Sequence, residues 1–450
     1  MPANNPLSTH AADSTDDPFA EIKATRRRFG HLCRGVGLEI GPLHIPTEGV
    51  APDATVLYMD RVSTRDLVKY FESNPGIPTQ SIVPIDVIGD AMTLPFERAS
   101  LDFLIANHVL EHLSNPLKAL CEWHRALKQG GILYLSLPDK RFCAFCAGPD
   151  EWIYPDAARR LTTWDHLLDD FKRDDRGDSE ASRDHARDIV RYIEGVPEKE
   201  VESRVDQFLA SQPDYHYHTW TFESLLMAIE RSLKTLGLGW RLEAQLSSYE
   251  TWGEMIVVLR KTNSARAFLP VTYHYPEWDI NQMNLALEEL LPGALWEQSF
   301  EIRLQNLSAI DIRFGTFGRS NAGQLMFRLY SEHLTEPVVQ QQVDVSRLRD
   351  NGFYRFEFPA TPRANGTAFR FTLEAGDSKP GNAVTVWCAK IADRRLRLTL
   401  NGSTRQGIAL NFKAFASRVL ESSNVESEDR TPHLPGAARK IAQLLRLTPR

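Results

Sequence analysis

Gly37-Leu38-Glu39-Ile40-Gly41-Pro42 reads as a short apolar strand running into a glycine turn, and Val56-Leu57-Tyr58-Met59-Asp60 as a second strand closed by an acid. A strand, a glycine turn and an acid ending the next strand roughly twenty residues on is how a doubly wound sheet holds a nucleoside. Glycine lets the backbone approach a ligand where a Cβ would collide. The Asp60 carboxylate can accept hydrogen bonds from both hydroxyls of a ribose. The two segments together predict a cofactor-dependent enzyme rather than a passive scaffold.

Outward from these, Ile82-Val83-Pro84-Ile85-Asp86, Leu101 to Ile105 and Ile132 to Leu137 are further apolar runs bounded by turn residues. Their helical spacing predicts βαβ units and a mostly parallel sheet buried on both faces. Asn115-Pro116 opens a helix carrying Leu117, Leu120, Trp123, His124 and Leu127, which Gly130-Gly131 is expected to stop. Residues 139–213 are charged and helical in flavour, as a solvated insertion or lid would be. A helix from Phe222 to Leu236 and an antiparallel pair, Trp240 to Leu246 with Met255 to Arg260, then close the domain.

Past Pro292 the period changes to two, as in Phe300-Glu301-Ile302-Arg303-Leu304 and Phe369-Arg370-Phe371-Thr372-Leu373. Asn351-Gly352, Asn365-Gly366 and Asn401-Gly402 supply hairpin turns, so about eight strands in an antiparallel β-sandwich or jelly roll are predicted. The expected division is a disordered tail over 1–26, an α/β domain over 27–262 and a connector over 263–292 with one helix, Ile280 to Leu291. A β-sandwich over 293–418 comes next, then a flexible tail over 419–450 ending in a short basic amphipathic helix, Ala437 to Leu447.

With 450 residues the chain exceeds one core. A net charge of −7 gives no field to draw nucleic acid. The absence of an apolar run of about 18 residues predicts no membrane span. Five cysteines make no disulfide framework, so a reducing cytoplasm is expected. Cys143-Ala144-Phe145-Cys146 lacks the second pair that a zinc site needs. His108-Val109-Leu110-Glu111-His112 spells H-x-x-E-H, a zinc pattern when it lies on a helix. Here it comes directly after a buried strand and no distant third ligand stands out, so no metal is expected.

The order of these motifs resembles the class I S-adenosylmethionine-dependent methyltransferases of the type 11 group, over about residues 27 to 261. Glu39-Ile40-Gly41 is similar to the acidic-x-Gly start of the first family motif, and Asp60 falls at the ribose-binding acid. Asp90-Ala91 resembles the turn that contacts adenine. Leu101 to Leu113 is similar to the family's fourth strand and the helix after it, and Leu127 to Leu133 to the approach of the fifth strand. The family's first motif carries two or three glycines, whereas Gly41 here precedes Pro42-Leu43-His44.

The resemblance implies a Rossmann-like, doubly wound seven-stranded sheet with its last strand antiparallel. It implies S-adenosyl-L-methionine as cofactor, held by Glu39, Gly41, Pro42, Asp60, Asp90, Ala91, Asn107 and His108. Methyl transfer is an in-line displacement at a sulfonium carbon, so a base matters mainly for hydroxyl acceptors. His108, Asp139 and His218 are the candidates, the last within a segment resembling a His-x-Trp motif of related enzymes. The C-terminal sandwich resembles domains that accompany glycosyltransferases and methyltransferases of bacterial surface-polysaccharide assembly. A small-molecule or glycan-linked acceptor and a glycosyltransferase partner are what that likeness implies, with Trp387 or Tyr354 as sugar-stacking candidates. The alternatives are a non-catalytic nucleoside- or glycan-binding assembly protein and a metal-dependent hydrolase.

Overall fold

The computed structural model describes residues 19–421 apart from 73–76, 142–155, 157–158, 174–178, 212–214, 252, 265, 333, 362–363, 365 and 392. The expected tail up to residue 18, the Cys143/Cys146 pair and the helix at 437–447 lie outside the described residues. The described chain separates into two compact units, divided between Val271 and Thr272.

The first unit is built on seven strands: β1 (Val36–Ile40), β2 (Thr55–Asp60), β3 (Val87–Ile88), β4 (Leu101–Asn107), β5 (Leu127–Pro138), β6 (Trp240–Leu246) and β7 (Glu254–Lys261). Their order is β3-β2-β1-β4-β5-β7-β6, with β7 antiparallel to both of its neighbours. β1 lies parallel between β2 and β4, Ile40 pairing with Met59 on one side and Ala106 on the other. Gly37 is what lets β1 sit this close: a Cβ there would strike the Phe103 ring of β4.

Helix α1 (Ala20–Gly30) leads into the sheet, and α2 (Thr64–Phe71) comes after β2. Helix α3 (Pro116–Ala126) is capped by Asn115, which accepts from Lys118 N at 2.9 Å, and buries Leu117, Leu120 and Trp123. The inserted region holds α4 (Trp164–Arg173), α5 (Ser179–Tyr192) and α6 (Val201–Ala210). Helix α7 (Phe222–Leu236) starts in a Thr221/Ser224 capping box and ends at Gly237 in the left-handed conformation.

Four local expectations are corrected. The stretch expected as a tail up to residue 26 contains most of α1, because Arg26 is buried in an ion pair with Glu254. The run 82–86 is not a strand: Pro84 has no N–H to give a ladder, and β3 is instead the pair Val87–Ile88. Helix α3 ends at Ala126, so Gly130 and Gly131 lie within β5 rather than stopping a helix. The helix expected over 280–291 is absent among the described residues. Its backbone is spent on a strand neighbour instead, Asn284, Leu287 and Leu290 donating to Cys388, Val386 and Val384.

The second unit is all β. One antiparallel sheet runs β13-β12-β15-β10-β17-β18, from strands Val339–Asp344, Gln324–Ser331, Thr367–Ala375, Leu295–Ile302, Arg397–Leu400 and Ser403–Arg405 in that order. The other runs β19-β16-β11-β20-β8, from Ile408–Leu410, Thr385–Lys390, Gln305–Gly315, Phe412–Leu420 and Val271–Asp279. Strand β14 (Phe353–Thr361) pairs with β11, and β9 (Leu285–Ala286) with β16. Residues expected as a connector thus belong to this unit as β8 and β9. Strict alternation of burial along β10 turns one face inward. Rings from the two sheets meet there, Phe300 and Phe412 at 5.2 Å and Phe327 and Phe356 at 4.1 Å between centroids.

Candidate active site

In an open α/β sheet, ligands bind outside the carboxyl ends of the strands where the chain reverses its direction of winding. Here that place lies between β1 and β4, since β1 leads to β2 on one side while β4 and β5 are added on the other. Glu39, Gly41, Asn107 and His108 all stand at the carboxyl ends of these two strands.

Gly41 donates from its N–H to Met59 O at 2.8 Å and then turns with φ +61°. A Cβ at this position would meet only Val109 Cγ2, at 3.5 Å, so the space above the turn is open. Pro42 behind it is buried and closes a turn with Ile45. Leu43, two residues on, takes φ +46°.

Glu39 is buried and gathers donors. Thr47 N and Thr47 Oγ1 each reach Oε1 at 2.9 Å, and Asn107 Nδ2 reaches it at 3.2 Å. Burial still prevails and pushes the Glu39 carboxyl up to about 7, against the pull of Thr47, Arg26 and Asn107. Asn107 gives its second Nδ2 contact to Thr47 Oγ1 at 2.7 Å, while its Oδ1 is buried and accepts no hydrogen bond. A buried acceptor without a donor is costly, and it fits a site that receives a ligand donor such as an ammonium.

Asp60 closes β2, half-buried, with Ile88 beside it in the β2–β3 pair. The Asp90-Ala91 turn is held twice: Asp90 Oδ1 accepts from Met92 N at 2.6 Å, and Trp123 Nε1 donates to Ala91 O at 2.8 Å. His108 comes after β4 with φ +51°, a conformation that a non-glycine residue adopts at a cost and that clusters at functional sites. Its Nε2 is 2.7 Å from Glu254 Oε1, and its Nδ1 is 3.4 Å from Glu111 Oε1. Burial opposes ionisation of Glu254, but the Arg26 charge and the His108 contact outweigh it and hold that carboxyl at about 2.

The other two base candidates stand apart from His108. Asp139 is fully buried, and its carboxylate accepts from Arg141 N, Nε and Nη2, Phe222 N and Ser248 Oγ. That set ties the end of β5 to the start of α7. His218 is closed to solvent, stacks on Trp220 and lies 3.0 Å from Asp170. Burial drives its imidazole down to about 3. Glu111 stands in the H-x-x-E-H pattern and Trp123 on the apolar face of α3, without a role assigned to either by the sequence. Arg26, Thr47 and Glu254 also line this region and carry no sequence signature. Only Thr47, a few residues beyond the glycine turn, was near enough to suspect.

Residues 57–135 match a family described as "Methyltransferase domain". The matched stretch runs from β2 to β5 of the first unit, so that part of the sheet is similar to a methyltransferase domain. The open turn at Gly41 and the orphaned Asn107 Oδ1 fit S-adenosylmethionine, the cofactor that the resemblance implies.

Two curated proteins are similar over shorter spans. An uncharacterised 37.1 kDa protein in a transposon of Streptomyces fradiae is 32% identical over 106 residues, 23% of this chain and 28% of its own. An uncharacterised protein of Methanocaldococcus jannaschii is 31% identical over 121 residues, 27% of this chain and 52% of its own. The chain thus spans about half or less of the length of these relatives. Among solved structures, a SAM-dependent methyltransferase of Aquifex aeolicus is 14% identical with a TM-score of 0.28, covering 55% of this chain and 95% of that one. One from Mesorhizobium loti is 13% identical with a TM-score of 0.29, covering 55% and 99%. At such scores it is the strand order, not the likeness, that places the fold. Among the described residues no helix is long and apolar enough to cross a membrane.

Proposed function

We propose that the chain transfers the methyl group of S-adenosylmethionine to a small-molecule or glycan-linked acceptor in the cytoplasm, within cell-surface polysaccharide biosynthesis. The second unit, read as a β-sandwich, serves to recognise the acceptor or dock a glycosyltransferase. The observation that carries the reading is the open glycine turn at Gly41, set between two parallel strands and backed by the buried Glu39–Thr47–Asn107 network.

When bound, the cofactor supplies an electrophilic methyl on a sulfonium. The protein's work is to place it. Asp60 takes the ribose hydroxyls, the Asp90-Ala91 turn flanks the adenine, and Asn107 Oδ1 receives a donor from the amino-acid end. Glu39 holds Thr47 and Asn107 in register, while Pro42 keeps water from the underside of the turn. For a hydroxyl acceptor, His108 Nδ1 takes the proton. Glu254 orients the ring through Nε2, and the Glu111 carboxylate stabilises the charge that forms. Asp139 and His218 hold the surrounding elements in place. Since displacement at carbon needs no protonated leaving group, orientation and exclusion of water supply most of the rate.

Sugar stacking by Trp387 or Tyr354 is a weaker element. Both are half-buried, Trp387 donating to Asn351 Oδ1 at 2.7 Å and Tyr354 packing on Phe356.

Calorimetric titration with S-adenosylmethionine should show one site per chain. Turnover to S-adenosylhomocysteine across nucleotide sugars, oligosaccharides and small metabolites should then single out the acceptor class. Binding without turnover on any acceptor would favour the non-catalytic assembly protein, and no binding would remove the enzyme.

A further inference from the structure

The inserted helices gather three imidazoles round one carboxylate. His166 and Asp170 lie four residues apart on α4, a spacing that puts both on one helix face. His185 stands on α5, and His218 precedes α7. Asp170 Oδ2 is 3.0 Å from His218 Nε2 and 3.2 Å from His166 Nε2, and Asp170 Oδ1 is 3.6 Å from His185 Nε2. One ligand atom from each residue lies within 4.8 Å of all the others. The side chains of Asp170, His185 and His218 are 4%, 2% and 0% exposed, whereas His166, at 35%, opens the cluster to solvent.

Proton bookkeeping separates this cluster from packed core histidines. His185 Nδ1 lies 3.1 Å from the carbonyl oxygen of Tyr217, which can only accept, so Nδ1 carries the hydrogen. The Nε2 of a neutral ring then presents a lone pair. It is buried, makes no hydrogen bond, and faces the Asp170 carboxylate. A cation between the two turns repulsion into ligation. The bond from Nδ1 to a backbone carbonyl is also what fixes the tautomer of a metal-binding histidine.

We propose that His166, Asp170, His185 and His218 bind one divalent ion of the zinc class, through three imidazole nitrogens and a carboxylate oxygen. Imidazole and carboxylate donors suit such borderline ions, and four protein ligands leave no open position. The ion is therefore structural, pinning α4 and α5 to the segment ahead of α7. Bonds of about 2.0–2.1 Å in a tetrahedron put ligand atoms roughly 3.3–3.4 Å apart, so a modest contraction closes the set. A neighbouring group, Glu111, His112 and His216, offers only three donors and is the rival location.

The full chain, purified without chelator, should hold about one zinc by elemental analysis, and the stripped chain should take up one equivalent of Zn2+ or Co2+. Cobalt should give the intense visible absorption of a four-coordinate ion. Asp170→Ala and His185→Ala should cut bound metal to about a tenth or less, while Glu111→Gln should keep it. His185→Cys guards against simple misfolding, since it should still bind cobalt and add a thiolate charge-transfer band. Failure of the native chain to take up either metal overturns the proposal. So does loss of metal in Glu111→Gln with retention in His185→Ala.

Discussion

The two units solve the burial problem in opposite ways. The second unit buries no charged side chain as deeply as the first, and its core joins Phe300, Phe327, Phe356, Phe371 and Phe412 from both sheets among the described residues. Among the described residues its charged side chains of low exposure, Asp311 and Lys413, are paired with Arg355 and Asp279. The first unit instead buries Arg26, Glu39, Asn107, Glu111, Asp139 and Glu254, and most of these sit at the carboxyl ends of its strands. Burying charge is costly and gains little stability. Concentrating that cost at one end of a sheet is what a site for chemistry there would require, and the proposed function draws on this contrast.

The contrast can be broken from either side. Phe371→Ala should destabilise the second unit by about 3–5 kcal/mol, the range for emptying an aromatic core position. Chemical denaturation would show this, with calorimetric affinity for S-adenosylmethionine unchanged; a matching loss of affinity would erase the distinction between the units. Arg26→Met should cost the first unit about 3 kcal/mol, because it leaves the Glu254 carboxylate buried beside His108 without its strongest counter-charge. Replacing both partners, Arg26→Met with Glu254→Leu, should recover much of that loss in the melting curve.

A pH series sharpens the same point. Glu39 titrates higher in the fold, near 7, than in the open chain, so the folded protein binds the extra proton. Its contribution is present below about pH 4.5 and is lost as pH rises towards 7, by an amount on the order of 2–3 kcal/mol. His124 and His218, both pushed down by burial, act in the opposite direction over part of that window. The quantity to measure is therefore the difference in stability between wild type and Glu39→Gln, in which wild type should gain steadily on the variant as pH falls from 7 to 4.5. Smallest of the set, Asp60→Ala should weaken S-adenosylmethionine by about 1.5–3 kcal/mol, roughly 10- to 150-fold, through loss of a charged acceptor. Unchanged affinity would refute the ribose assignment.

Much of the sheet was legible because its signals are local. The apolar runs ending at Ile40 and Asp60, the Asn115 cap and the Gly237 stop each settle their own element within a few residues. Where the chain departed from expectation, a distant partner decided. Residues 280–291 carry enough apolar spacing for a helix, yet they hydrogen-bond to a strand about a hundred residues away. The candidate site divides along the same line. Gly41, Asp60 and His108 belong to readable motifs, whereas Arg26 and Glu254 are 228 positions apart and announce nothing separately. His166 and His185 were silent in sequence and His218 stood out only as a base candidate, since only a fold brings their rings together.

The ion pair between α1 and the first residue of β7 carries a practical warning. Anyone trimming this chain to its recognisable sheet would start near residue 30 and discard the guanidinium that steadies Glu254, and through it the imidazole after β4. Such a shortened protein would keep the Glu254 that orients its histidine but lose that carboxylate's counter-charge. The helix ahead of the first strand thus reaches, through Glu254, as far as the proposed base.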